Sequence, residues 1–229
     1  LRQEEETEEN KEAQAKETSQ ENEAQEQEVR GDFNTLLAID TSYLWVSVSY
    51  FFDGKVISRT FLKEFKHLES LNLLISSLLD LSRSPSALLL NLGPGFFTSL
   101  RVSASFAKAL YLSKKVPMFG FNTLQSMLVG LDDGKYIAYL DARKGEVYAQ
   151  SFEVKDGIPY PDGQLSLGIY KEINLEGYKP YTGLIRASSL FALFFKGFGE
   201  ELNENFTPIY IRPPDAIVNL ATPLAPSKL

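Results

Sequence analysis

The chain has 229 residues, 23 basic and 30 acidic side chains and no cysteine, which excludes a disulfide scaffold, a thiol nucleophile and a thiolate metal site. The acidity is local: residues 1–32 hold 12 acidic and 4 basic groups, whereas the other 197 residues hold 18 acidic and 19 basic. Hydrophobic residues make up 44% of the chain, enough for one large domain or two packed lobes, and no stretch approaches the length of a transmembrane span.

In chain order, residues 1–32 are rich in Glu, Gln, Ala and Lys, have no aromatic side chain, and offer only Leu1 and Val29 as larger apolar groups. They cannot bury enough surface to offset their ordering entropy, so a disordered acidic tail is expected there. The tail has no apolar core of the kind a signal peptide needs, and the absence of cysteine is compatible with a reducing cytoplasm, the expected location. Residues 35–40 (TLLAID) read as a buried strand, 44–52 as a second and 55–62 as a third, with Asp53-Gly54 a hairpin turn. A helix is expected over 64–81. Its Phe65, Leu68, Leu71, Leu74, Ile75, Leu78, Leu79 and Leu81 cover an arc of roughly 200°, wider than one sheet face requires.

A short apolar strand over 86–92 then meets Gly93-Pro94-Gly95, where glycine permits positive φ and proline removes an N–H, so the chain must turn. Thr98 reads as the N-cap of a helix reaching Lys114, about four turns long. Ser99, Ser103 and Ala107 form a stripe of small residues on it, edged by Phe106 and Leu110, while Arg101 and Lys108 share a different face. A strand at 116–121 and a helix beginning at Asn122 or Thr123 follow, with Gln125 placed as in a capping box. The pattern then restarts: strand 135–140 ends in Asp141, Ala142-Arg143-Lys144-Gly145 turns, and 146–154 alternates as a strand. Asp40 and Asp141 end corresponding strands 101 residues apart, which suggests a duplication. The second copy is degenerate, with a Gly/Pro-punctuated segment at 156–183, a helix near 186–196 and a terminal strand at 208–211.

Six stretches in this order resemble the TsaB (YeaZ) family, the non-catalytic partner of TsaD in bacterial tRNA threonylcarbamoyladenosine synthesis. They are Leu37-Ala38-Ile39-Asp40-Thr41-Ser42; His67 with Glu69; Gly93-Pro94-Gly95-x-Phe97-Thr98-x-Leu100-Arg101-Val102; Phe106-Ala107-Lys108-Ala109-Leu110; Asp141 to Ala149 (DARKGEVYA); and Tyr210 to Ala216 (YIRPPDA). The family usually has Ser where Phe96 stands and Gly where Ser99 and Ser103 stand. The resemblance implies an α/β, actin-like fold of the Hsp70/sugar-kinase type with two related lobes, here 33–122 and a degenerate 123–229. It also implies a TsaD-like catalytic subunit as partner, contacted through the first two helices, and a TsaE-like ATPase in a wider assembly. A homodimer of the free chain is a further expectation.

The competing reading is a free-standing actin-fold ATPase or kinase, or a peptidase-like enzyme. TsaD-like proteins hold metal through an HxxxH pair, and this chain has His67 alone, inside the apolar arc, where a packed structural histidine is expected. Asp40, Thr41, Ser42 and Asp141 occupy turns where actin-like ATPases hold phosphate and magnesium, but no glycine follows Ser42 before Gly54, so these read as a vestigial nucleotide turn. No catalytic residue, metal or cofactor is therefore expected. Direct tRNA binding is not expected either, because the folded part is nearly neutral and Arg143-Lys144 and Lys114-Lys115 read as turn and helix-end charges. The expected partner surface comprises Leu68, Leu71, Ile75 and Leu78 on the first helix with Ser99, Ser103, Phe106, Ala107 and Leu110 on the second.

Overall fold

The computed structural model describes residues 33–62, 66–79 and 84–211. The acidic tail, both ends of the helix expected over 64–81, and the motif residues beyond Ile211 lie outside them.

Six strands form the first sheet. β1 (Thr35–Asp40) pairs antiparallel with β2 (Val46–Phe52), which pairs antiparallel with β3 (Lys55–Phe61); on its other edge β1 runs parallel to β4 (Ala87–Gly93), and β4 parallel to β5 (Met118–Asn122). Period-two alternation explains why β1 is wholly buried: Leu37 and Ile39 enter one core, while Leu36 and Ala38 enter another on the opposite face. In β2 the inward Val46, Val48 and Tyr50 alternate with Ser47 and Ser49. Those hydroxyls meet Thr60 Oγ1 at 3.2 Å and Ser58 Oγ at 2.8 Å across the β2–β3 pair.

Two helices cover the first face. α1 (His67–Leu79) packs Leu71, Leu74, Ile75 and Leu78 against it, and α2 (Phe97–Lys114) packs Leu100, Ala104 and Ala107. Here the sequence reading needs correction. Ser99, Ser103 and Ala107 do not form an open seam: they are 4%, 1% and 0% exposed, and the Ser103 hydroxyl donates to the Leu100 carbonyl at 3.1 Å. The small side chains let α2 lie close on its own sheet. Thr98 is not the N-cap either, since the helix starts at Phe97 after Phe96, which offers no side-chain cap. The Phe96 N–H instead donates to the Ser42 carbonyl at 2.8 Å, so a tertiary backbone bond fixes the start of the helix.

α3 (Thr123–Leu128) is entirely buried between the sheets. Asn122 caps it as expected, its side-chain oxygen accepting from the Leu124 and Gln125 N–H groups, but Gln125 donates to the Pro159 carbonyl at 2.8 Å, so the reciprocal half of the capping box is not made. The second sheet contains β6 (Gly134–Arg143), β7 (Glu146–Lys155), β8 (Ile158–Pro161) and β10 (Lys179–Tyr181), with β9 (Ser166–Ile169) also on β7. Its order β10-β6-β7-β8 repeats β4-β1-β2-β3, including the parallel pairing of β10 with β6 and the two antiparallel pairs. A 3₁₀ turn at Tyr170–Glu172 stands between β9 and β10, where the first copy has α1. The chain then returns to the first lobe. α4 (Ser189–Phe195) packs Leu190, Phe191 and Phe194 on the open face of the first sheet, and β11 (Glu200–Leu202) adds an antiparallel edge to β5, so that sheet is not confined to 33–122. The strand expected at 208–211 does not form; among the described residues that segment is tied by the backbone bond from Ile209 N–H to the Leu92 carbonyl at 2.8 Å.

Because Ser103 faces the core, Ser103→Arg is expected to destabilise the free chain by about 4 kcal/mol through overpacking and an unpaired buried charge. Thermal melting checks this: a drop of roughly 10 °C is expected, whereas Ser103→Ala should stay within a few degrees.

Candidate functional site

The C-terminal ends of β1 and β4 and the corner leading into α2 meet at one place. Asp40 ends β1 and is fully buried. Its Oδ1 accepts from Ser42 Oγ at 2.6 Å, from the Ser42 N–H at 3.2 Å and from Asn91 Nδ2 at 2.9 Å. Asp40 Oδ2 and Asn91 Oδ1 are buried without a hydrogen-bond partner. A neutral carboxyl has a proton to donate at this position and a carboxylate has not; burial accordingly pushes the Asp40 carboxyl up to about 6 despite the bonds from Ser42 and Asn91. Thr41 Oγ1 donates to the Ser99 carbonyl at 2.6 Å, tying the same turn to the first turn of α2.

Backbone contact completes the clamp. A Cβ on Gly95 would lie 2.1 Å from the Ser42 carbonyl oxygen, so only glycine permits this approach. Tyr43 stacks on Phe96 with ring centroids 4.8 Å apart, and the Arg143 guanidinium of the β6–β7 turn lies 4.5 Å from the centre of the Phe96 ring. His67, the first residue of α1, is buried and donates from Nε2 to the Tyr43 carbonyl at 2.7 Å. This is the packed, hydrogen-bonded histidine expected from its place in the apolar arc. A cavity of about 270 Å³ beside the corner is lined by His67, Leu68, Phe96, Ser99, Val102 and Arg143, among others.

Three amides of these turns are already engaged: Ser42 N–H with Asp40, Phe96 N–H with the Ser42 carbonyl, and Arg143 N–H with Asp141 Oδ1 at 2.7 Å. Asp141 is exposed and forms its own turn, in which Arg143 and Lys144 take φ of 63° and 57°; Asp40 is committed to Asn91 and Ser42. Among the described residues no group of three or more His, Cys, Asp and Glu side chains converges as a metal site would require. The sequence reading missed Asn91 and the Tyr43–Phe96–Arg143 stack. An amide inside the apolar run LLLNLG was a signal for the first, whereas the second joins residues from three distant loops.

Of the expected partner surface, Leu71, Ile75, Leu78, Ser99, Ser103 and Ala107 are buried within this chain, while Phe106 and Leu110 are half-buried and Leu68 is 61% exposed. Leu73, absent from that expectation, is also 61% exposed on α1.

Residues 64–158 match the family described as TsaD: tRNA N6-adenosine threonylcarbamoyltransferase. The chain is 28% identical over 166 residues to the tRNA threonylcarbamoyladenosine biosynthesis protein TsaB of Bacillus subtilis (strain 168), covering 68% of this chain and 72% of that one. It is 32% identical over 126 residues to the protein of the same name from Escherichia coli (strain K12), covering 52% and 54%. The matched region thus spans about half the length of the latter relative. The solved structure of YeaZ from Pseudomonas aeruginosa superposes with a TM-score of 0.68 at 21% identity, over 78% of this chain and all of that one, which establishes the shared two-sheet, actin-like fold. No helix among the described residues is long and apolar enough to cross a membrane.

Two outcomes follow from the clamp. The native state holds the Asp40 proton more tightly than the unfolded chain does. This contribution is therefore fully present below about pH 4 and is lost, by roughly 3 kcal/mol, as pH rises to about 6. Urea unfolding from pH 4 to 7.5 should show that loss in the native chain relative to Asp40→Asn, which has no such proton to release. Gly95→Ala should cost about 3 kcal/mol or more, read as a lowered unfolding midpoint, because the Ser42 backbone must move.

Proposed function

Given that the chain belongs to the TsaB (YeaZ) family, we propose that it serves tRNA threonylcarbamoyladenosine biosynthesis as a non-catalytic subunit that docks onto a TsaD-type enzyme through the outer faces of α1 and α2. The observation that carries this reading is the exposure of Leu68 and Leu73, each 61%, on a helix whose Leu71, Leu74 and Leu78 already fill the core. On α2 the half-buried Val102 lines one cavity with Leu68, and Phe106 and Leu110 are half-buried as well. Large apolar groups left in solvent on two adjacent helices suit helix-on-helix association, and Leu71, Ile75, Leu78, Ser99, Ser103 and Ala107 hold those helices in place from beneath. A TsaE-type ATPase would join through the enzyme, and a second copy of this chain would use the same face when the enzyme is absent.

The non-catalytic role is supported by the clamp. Asp40 is fully buried, His67 Nε2 is bonded to the Tyr43 carbonyl, and the Ser42 and Phe96 amides are bonded to the protein itself. Leu68→Glu with Leu73→Glu tests the docking. Both residues are exposed, so folding should change by less than about 1 kcal/mol, while burial of two carboxylates in an apolar seam should weaken capture of a tagged TsaD-type enzyme at least 100-fold, about 2.7 kcal/mol. Unchanged capture by the folded double variant would place the contact elsewhere.

A further inference from the structure

We infer that the flank of α2 facing away from α1 is a contact surface for the phosphate backbone of RNA. Arg101 and Lys108 stand seven residues apart on α2, about 10.5 Å along the helix with only about 20° of drift, and Lys115, seven residues further, is the left-handed residue that caps its end. Each cation is held over a ring: Arg101 at 4.3 Å from the centre of Phe97, Lys108 at 5.0 Å from Phe206 and Lys115 at 4.8 Å from Tyr111. Stacking on a ring positions a long cationic side chain without neutralising it.

The surroundings point to the same ligand. Residues 97–115 contain four basic side chains and no acidic one. Lys66, Lys135 and Lys155 are paired with Glu69, Asp162 and Glu153, but none of Arg101, Lys108 and Lys115 is in an ion pair among the described residues. The segment 33–122 carries 9 basic and 5 acidic groups, and the returning segment 189–211 adds Lys196 with Glu200, Glu201 and Glu204 to the same sheet. The basic character is thus local to α2 and its end rather than a property of the whole lobe. One carboxylate, Glu201, flanks the stripe, lining a groove of about 470 Å³ with Tyr111, Lys115 and Asn203. Beside the other end, Tyr210 is 37% exposed and packs on Phe97 at 4.7 Å, adding an aromatic surface next to Arg101. A row of cations outside any ion pair among the described residues, with the exposed Tyr210 ring beside it, suits a polymer of phosphates with bases to stack. Val102, which lines the cavity with His67 and Leu68, marks the α1 side of α2, so the basic flank stays open when the apolar face is occupied.

The identity of the RNA as tRNA rests on the function proposed above; the phosphate-binding chemistry does not. The test uses the full chain and an unmodified tRNA transcript, with anisotropy measured from 50 to 200 mM salt. Replacing Arg101, Lys108 and Lys115 together by Gln should weaken binding at least tenfold at 50 mM and lower the slope of log affinity against log salt by about 2. Lys135→Gln with Lys155→Gln and Lys179→Gln, on the second sheet, should leave both unchanged. Capture of the TsaD-type enzyme by the first triple variant should be retained. Equal affinity and slope in that variant, or binding of a labelled peptide of residues 1–32 with none of tRNA, would overturn the inference, the latter in favour of an acidic polypeptide. Failed capture by the native chain with salt-sensitive tRNA binding intact would instead sink the docking proposal and leave this one standing.

Discussion

The contact on which this structure depends is the approach of Gly95 to the Ser42 carbonyl. It joins the end of β1 to the corner after β4 with no side chain between them, and the Phe96 N–H, Thr41 hydroxyl and Asp40–Asn91 bonds fasten the same junction. Once the corner is fixed, the direction of α2 is fixed, and with it the small residues that let α2 settle on the sheet and the two outer flanks it presents. The same junction engages the Ser42 and Phe96 N–H groups within the protein.

Much of the first lobe was legible in the sequence because its signals are local. Asp53-Gly54 marks the β2–β3 hairpin, the apolar runs of β1 and β4 mark strands covered on both faces, and Asn122 caps α3. The spacing of Asp40 and Asp141 pointed to the repeat that the second sheet displays in its strand order. What the sequence could not settle was which side of an amphipathic helix meets which neighbour. Ser99, Ser103 and Ala107 suit a close partner helix and a close sheet equally well, and the sheet takes them. β11 was illegible for another reason: three residues, two of them exposed Glu, carry no alternation, and only the free edge of β5 makes them a strand. The expectation of a strand at 208–211 failed because its apolar groups pack beside Gly93 and Phe97 rather than in a ladder.

The site was readable in its residue types but not in their pairing. Asp40, Thr41 and Ser42 stand out as a polar strand end, and Asn91 stands out inside an apolar run, yet their mutual bonds depend on the parallel register of β1 and β4. Net charge was misleading in a similar way, since it averages over the folded part and does not show that residues 97–115 carry four basic groups and no acidic one. The molecule accordingly divides its outer surface: exposed leucines on α1 toward one side, ring-held cations on α2 toward the other.

The account stands or falls on where a partner enzyme touches this chain. Amide hydrogen exchange of the free chain against the chain mixed with a TsaD-type enzyme measures that directly. Added protection should concentrate in His67–Leu79 and in the α1-facing side of Phe97–Lys114, with the already closed turns at Asp40 and Asp141 unchanged. Protection gained instead at those two turns, with α1 exchanging as in the free chain, would contradict it.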